Sequence, residues 1–170
     1  ASNGALTGTP ANADVGENLF VVRVADTSGA TDDANLYITV GNVNDAPVWS
    51  ADPLTKREVT RDQPYLAVTL AGDASDVDAG DTRSYSITGG NTGGAFAIDA
   101  STGAITVANA AALDYETTPS FALTVQVTDA GGLTDTATVT VSLTNVNEAP
   151  VVSDQAFAVP ENSVNGTAVG

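Results

Sequence analysis

"NVNDAPV" spans residues 42–48 and "NVNEAPV" spans residues 145–151. The two copies lie 103 residues apart (145 − 42). Sliding the chain on itself at that offset extends the match in both directions. Between residues 26–47 and 129–150, ten of the 22 pairs are identical, with Asp26 on Asp129 and Asp32 on Asp135. The apolar phase matches as well: Val22 and Val24 fall on Val125 and Val127, and Leu36, Ile38 and Val40 on Val139, Val141 and Leu143. A slip of one residue would turn all these side chains to the wrong face, so the register carries meaning.

Downstream, "PVWSADPLTKRE" (47–58) lies on "PVVSDQAFAVPE" (150–161), which puts Glu58 on Glu161. The offset therefore divides the chain into the back half of one unit (1–47), a complete unit (48–150) and the first strand of a third (151–170). The pattern starts and stops within a unit, as in a segment of a longer protein. A repeat of this length suits a seven-stranded antiparallel β-sandwich of about 100 residues. The proline at each border enforces extended chain, and the connection is too short for a loose linker, so successive units should abut. With about three strands, residues 1–47 should leave inner faces and an edge open.

Short stretches of strict alternation support an all-β reading: "FVVRVAD" (20–26), "NLYITV" (35–40), "FALTVQVTD" (121–129) and "ATVTVSL" (137–143). Each is bounded by Gly, Asn, Asp or Pro, the mark of half-buried strands. No amphipathic helix stands out, and "ANAAALDYE" (108–116) has room for a single turn.

Twenty-one acidic residues against five basic ones give a formal net charge of −16 in 170 residues. Phosphates would be repelled, which argues against nucleic acid and anionic membranes as partners. The chain has neither Cys nor His. Disulfides, ordinary zinc sites and His-based acid–base catalysis are thereby excluded. No apolar run approaches the ~20 residues that span a bilayer. Asn165-Gly166-Thr167 fits a glycosylation acceptor.

The acidic residues of the complete unit gather in "GDASDVDAGD" (72–81), "LDYE" (113–116), "TDAGG" (128–132) and the border "NVNEAP". A single Asp in a turn caps that turn. Several clusters at fixed places in one repeat suggest more. Calcium takes 6–8 oxygen ligands from carboxylates, amide oxygens and carbonyls, and these segments offer all three. An EF-hand beginning at Asp76 fails, because its twelfth position is Ile87 and not Glu. "GGNTGG" (89–94) lacks the lysine of a phosphate loop and reads as a wide loop.

In order and spacing, "DVDAGD", "FAIDASTGAITV", "LDYE", "VTDAGG", "NVNEAP" and "VPEN" resemble a cadherin repeat of the kind found in large bacterial surface adhesins. The first fragment resembles the dystroglycan-type cadherin-like variant. The resemblance implies tandem Greek-key, Ig-like β-sandwiches with Ca2+ bound where successive domains meet. Carried over residue by residue, it assigns Asn44, Asp45, Asp76, Asp78 and Asp129 to the first border, with Asp14 or Glu17 as possible additions. It assigns Glu58, Asp114, Glu116, Asn147 and Glu148 to the second. The family border commonly reads Asp-x-Asn-Asp-Asn-x-Pro. This chain is one residue shorter there and lacks the second Asn, and only Glu58 remains of the usual Pro-Glu-Asn. Fewer ions per border than the family's three are therefore expected, bound more weakly.

These readings imply a calcium-rigidified structural extender in an extracellular, cell-surface protein. Its partners would be adjacent cadherin-like domains of the same chain. A carbohydrate-binding or homophilic adhesion module is the alternative. Aromatics make up only 5% of the chain, and the sole tryptophan, Trp49, suits core or border packing better than a sugar platform. An enzyme is not expected, since the carboxylate pairs are better explained as metal ligands.

Overall fold

The computed structural model describes residues 4–55, 59–60 and 69–169. Among these residues the regular structure is strand, with three short 3-10 turns at Asn12–Asp14, Thr92–Gly94 and Ala110–Ala112. The last of these is the single turn expected in 108–116. Asn109 caps it, its side chain accepting from the Ala111 N–H.

The centre of the molecule is a long antiparallel pair, β10 (Ser120–Thr128) and β11 (Thr134–Thr144). Here the alternation in sequence becomes an alternation in burial. Phe121, Leu123, Val125 and Val127 of β10 are buried, as are Ala137, Val139, Val141 and Leu143 of β11. The register sets Phe121 against Val141, Leu123 against Val139 and Val125 against Ala137, so one face of the pair is apolar. β7 (Ser84–Gly89) adds to the free edge of β10, with Tyr85 opposite Val127. Just beyond it the chain passes over β10 at Gly90, where φ is +74° and a Cβ would meet the Ala122 carbonyl at 1.8 Å. Only glycine fits there, so "GGNTGG" is a loop, as expected.

The other edge of β11 receives β4 (Leu54–Thr55) and β5 (Val59–Thr60), both parallel to it. A purely antiparallel unit was expected. The parallel pairing arises because the first strand changes sheets: its opening piece, β3 (Val48–Trp49), pairs antiparallel with β6 (Ala74–Ser75), and its continuation crosses to β11. β8 (Phe96–Ile98) and β9 (Ile105–Val107) form a further hairpin. Between these layers lies one core, which includes the fully buried Leu70, Ile105, Leu123, Val125, Val139 and Val141. Phe96 and Phe121 meet edge to face at 5.1 Å. Trp49 belongs to this core. Its ring centroid is 6.0 Å from Tyr85, and its indole N–H donates to the Asp135 carbonyl. It is not an exposed platform.

Residues 4–47 contribute two strands rather than three, β1 (Gly16–Ala25) and β2 (Thr31–Val40), paired from end to end. Phe20, Val22 and Val24 share a face with Leu36, Ile38 and Val40, yet much of that face is open: Phe20 is 45% exposed and Val24 68%. Arg23 and Asp33, directly opposite each other, form an exposed bidentate ion pair at 2.6 Å. Residues 151–169 hold turns but no strand. The first strand expected in 151–170 has no sheet beside it to supply ladder hydrogen bonds.

The core thus belongs to one unit. Phe121→Ala should cost about 3–5 kcal/mol of unfolding free energy, as truncation of a buried Phe does. Phe20→Ala, on the open hairpin face, should cost under about 1 kcal/mol. Urea denaturation of the two variants measures the contrast.

Candidate metal centre at the unit border

The loop after β6 is shaped by its own aspartates. The Asp78 N–H donates to Asp76 Oδ1 at 2.9 Å, and the Asp81 N–H donates to the Asp78 carbonyl at 3.2 Å. Asp81 Oδ1 then accepts from the N–H groups of Thr82 at 2.7 Å and Ala130 at 3.2 Å. The second of these ties the loop to the turn that follows β10. Asp129 begins that turn and accepts the Leu133 N–H on Oδ1 at 2.8 Å. One carboxylate oxygen each from Asp76, Asp81 and Asp129 therefore lies within 4.8 Å of the others.

The border segment reaches this cluster from the opposite side. The Asn44 amide nitrogen donates to Asp129 Oδ2 at 2.8 Å, and the Asp45 N–H donates to Asp78 Oδ2 at 2.8 Å. Pro47, two residues on, is fully buried. Asn44 lies so close over the following turn that a Cβ on Gly131 would stand 2.5 Å from its amide group. The Asp45 carboxylate accepts from the Asn12 amide at 2.6 Å.

Among the predicted residues of the first border, the structure brings together Asn44, Asp45, Asp76, Asp78 and Asp129. Of the possible additions, Asp14 accepts the Ala11 N–H within its own 3-10 turn, and Glu17 sits exposed on β1. Asn12 makes the contact instead. Asp81 was not among the expected ligands. Its signal lay in the "DVDAGD" stretch, three residues beyond Asp78, but a turn was needed to fold it back. At the second border, Asp114, Glu116, Asn147 and Glu148 line one groove together with Asn145. Asp114 is held by Thr117, which donates its N–H and its hydroxyl to the two carboxylate oxygens. Glu58 lies outside the described residues.

The electrostatics of the first cluster call for a cation. Asp78 and Asp129 are 8% and 6% exposed. Asp76 Oδ2, Asp78 Oδ1 and Asp81 Oδ2 are buried without a hydrogen-bond partner. A buried carboxylate oxygen with no partner costs several kcal/mol. Among the described residues, the one Lys/Arg–carboxylate ion pair is Arg23–Asp33, on the hairpin. A donor set of hard anionic oxygens matches calcium, so the residues fit the ion that the resemblance implies. Burial alone pushes the Asp129 carboxyl up. The hydrogen bonds from Asn44 and from the backbone N–H groups of Leu133, Gly132 and Gly131 outweigh it and hold the carboxyl below its ordinary value. The stability this contributes is present above the ordinary carboxylate pKa and lost as pH falls through the lower folded value.

Gly131→Ala tests the approach of the border without touching a ligand. The new methyl group would push Asn44 away from Asp129. The Asp129 carboxyl should then titrate at higher pH than in the parent chain, read from its carboxyl carbon shift by NMR. An unchanged titration would mean that Asn44 does not hold Asp129.

Comparison with known proteins gives this geometry a family. The cadherin domain family model matches residues 57–144, about half of the chain, and a model for an Ig domain matches residues 1–41. The protocadherin-like wing polarity protein stan of Drosophila melanogaster is 36% identical over 139 residues, covering 80% of this chain and 4% of that protein. Human protocadherin Fat 4 is 38% identical over 135 residues, covering 75% of this chain and 3% of its own length. The chain thus spans a few hundredths of these relatives. Among solved structures, mouse cadherin-23 EC22-24 superposes with a TM-score of 0.67 at 24% identity, covering 95% of this chain and 54% of that one. That likeness speaks for the fold alone. Cadherin domains are non-enzymatic adhesion modules that generally bind calcium. With a cadherin-type sandwich, a carboxylate cluster at its border and a family match over half its length, the chain belongs to the cadherin domain family.

Proposed function

We propose that this chain is a calcium-stiffened spacer in a large extracellular adhesion protein, with Ca2+ held where successive units meet. The carrying observation is the set of buried, unpartnered carboxylate oxygens on Asp76, Asp78 and Asp81, beside a border segment that is itself hydrogen-bonded to Asp78 and Asp129. Without a cation, these carboxylates repel one another and work against the approach of the upstream unit. With one, the same groups attract a common centre, and binding energy becomes rigidity. Asp114, Glu116, Asn147, Glu148 and Glu58 would serve the second border in the same way. The division into units at 1–47, 48–150 and 151–170 belongs to this reading and rests on the internal repeat.

The partners of such a spacer are its neighbouring domains in the chain. A glycan-binding role finds no support in the comparisons; Trp49 and Tyr85 are buried, while Tyr37 and Tyr115 are exposed. The relatives compared above are animal proteins, so a bacterial adhesin as the setting rests on the sequence resemblance alone. No helix among the described residues is long and apolar enough to cross a membrane.

Thermal melts in calcium and in chelator test the proposal. Calcium at about 100 times its Kd adds about 2.7 kcal/mol, which for a domain of this size moves the midpoint by roughly 10–20 °C. Asp76→Asn combined with Asp78→Asn should abolish most of that shift. Equal midpoints with and without calcium in the parent chain would refute the reading.

A further inference from the structure

We propose that the outward face of the β1–β2 hairpin docks a second copy of this chain, back to back and with the strands reversed. Leu19, Val21 and Tyr37 form the centre of that contact, and Glu17 of each copy meets Arg23 of the other. The face lies outside residues 57–144, which the cadherin domain model matches, and the proposal does not depend on calcium.

The internal repeat isolates the feature. The register sets Leu19 against Tyr37, Val21 against Asn35 and Arg23 against Asp33, on the face opposite Phe20 and Val22. At the 103-residue offset, Leu19, Val21 and Tyr37 fall on Ala122, Thr124 and Thr140. The pairing is kept as well, since Ala122 stands opposite Thr140 as Leu19 stands opposite Tyr37. Where the complete unit carries small and polar groups, the hairpin thus carries a leucine, a valine and a tyrosine, which are 57%, 65% and 56% exposed. The inner face is the one that a sandwich covers. Strands added at the edges of a hairpin, as β7 and β4 are added to β10–β11, extend the sheet sideways and leave its outward face bare. Packing within a unit therefore gives these three side chains nothing to bury against, and contiguous exposed apolar groups mark an interaction surface.

The charges say which partner fits. Along β1 the outward side chains run Glu17, Leu19, Val21, Arg23, with an acid at one end, a base at the other and apolar groups between. A two-fold axis between two such faces, across the strands at the level of Phe20, lays each β1 on the other in reverse. Leu19 then faces Val21 and Glu17 faces Arg23, each contact occurring twice, as a self-complementary interface requires. Arg23 holds Asp33 through Nε and Nη2, which leaves Nη1 to donate to the carboxylate of the second copy's Glu17. Arg23 is the one basic residue in 1–55, so on this hairpin it is here that two chains of net charge −16 meet with attraction. Two strands offer a face about 10 Å wide and about 30 Å long. That is well below the ~800 Å2 per partner of a standard stable complex, so the contact is weak and reversible.

Sedimentation equilibrium of the full chain over a range of concentrations tests the proposal. The parent chain should pass from monomer to dimer. Leu19→Ala, Val21→Thr and Tyr37→Thr together introduce the side chains that the complete unit carries at the same places, so the strands keep their pairing. This triple variant should weaken Kd about tenfold or more. Glu17→Arg and Arg23→Glu should each weaken it too, because like charges then meet. An equimolar mixture of those two variants should dimerise at least as tightly as the parent, since every contact between positions 17 and 23 is then again one of opposite charges. A parent chain that stays monomeric at every concentration overturns the proposal, whatever else binds the face. A triple variant that associates like the parent overturns it as well, and loss of association in Phe20→Ser with Val24→Ser would then place the contact on the inner face. A mixture that associates no better than its components overturns the reversed arrangement and the proposal with it. Should Arg23→Glu disturb the hairpin, seen in its amide NMR spectrum, the triple variant still decides.

Discussion

Carboxylate oxygens buried without a donor are the constraint around which the border is built. A chain can hide an apolar side chain at a gain, but it hides an unpaired anion only at a cost. In the loop 76–81 the cost is incurred three times within a few residues. The backbone does what it can, since the Asp78 and Thr82 N–H groups satisfy one oxygen each of Asp76 and Asp81. The remaining oxygens fit a cation, and the folded unit supplies the rigidity to hold them in place.

That rigidity comes from β10 and β11. Their shared apolar face anchors the core, and the turn between them carries Asp129 at its start. The equivalent hairpin upstream, β1–β2, keeps the same turn chemistry. Asp26 Oδ1 accepts the N–H of Ala30 four residues on, as Asp129 Oδ1 accepts that of Leu133. In both, hydrogen bonds hold the carboxyl below its usual pKa. One copy is gripped by Asn44, while the other is exposed. The same local structure thus becomes a ligand group or a plain turn according to what lies across from it.

Much of this was legible in the sequence. The alternation in 121–129 and 137–143 specifies both face and register, because a half-buried strand tolerates no slip. The repeat of Asn-Val-Asn before Ala-Pro singled out the segment in which Asn44 and Asp45 make their contacts. What stayed hidden depends on turns and crossings, which periodicity does not encode. Asp81 is brought back by the bend at Gly80, where φ is +85°. Asn12 meets Asp45 because a 3-10 turn, and no acidic motif, presents it. The passage of the first strand from β6 to β11 leaves no mark in the alternation of so short a segment.

The most direct test of the central claim measures orientation. Residual dipolar couplings of the β1–β2 amides and of the β10–β11 amides report how each unit aligns. In calcium, both sets should fit a single alignment tensor, and in chelator they should require two. A single tensor under both conditions would show that the border is rigid without a cation, and two tensors under both would show that the cation does not join the units. Either result contradicts the account.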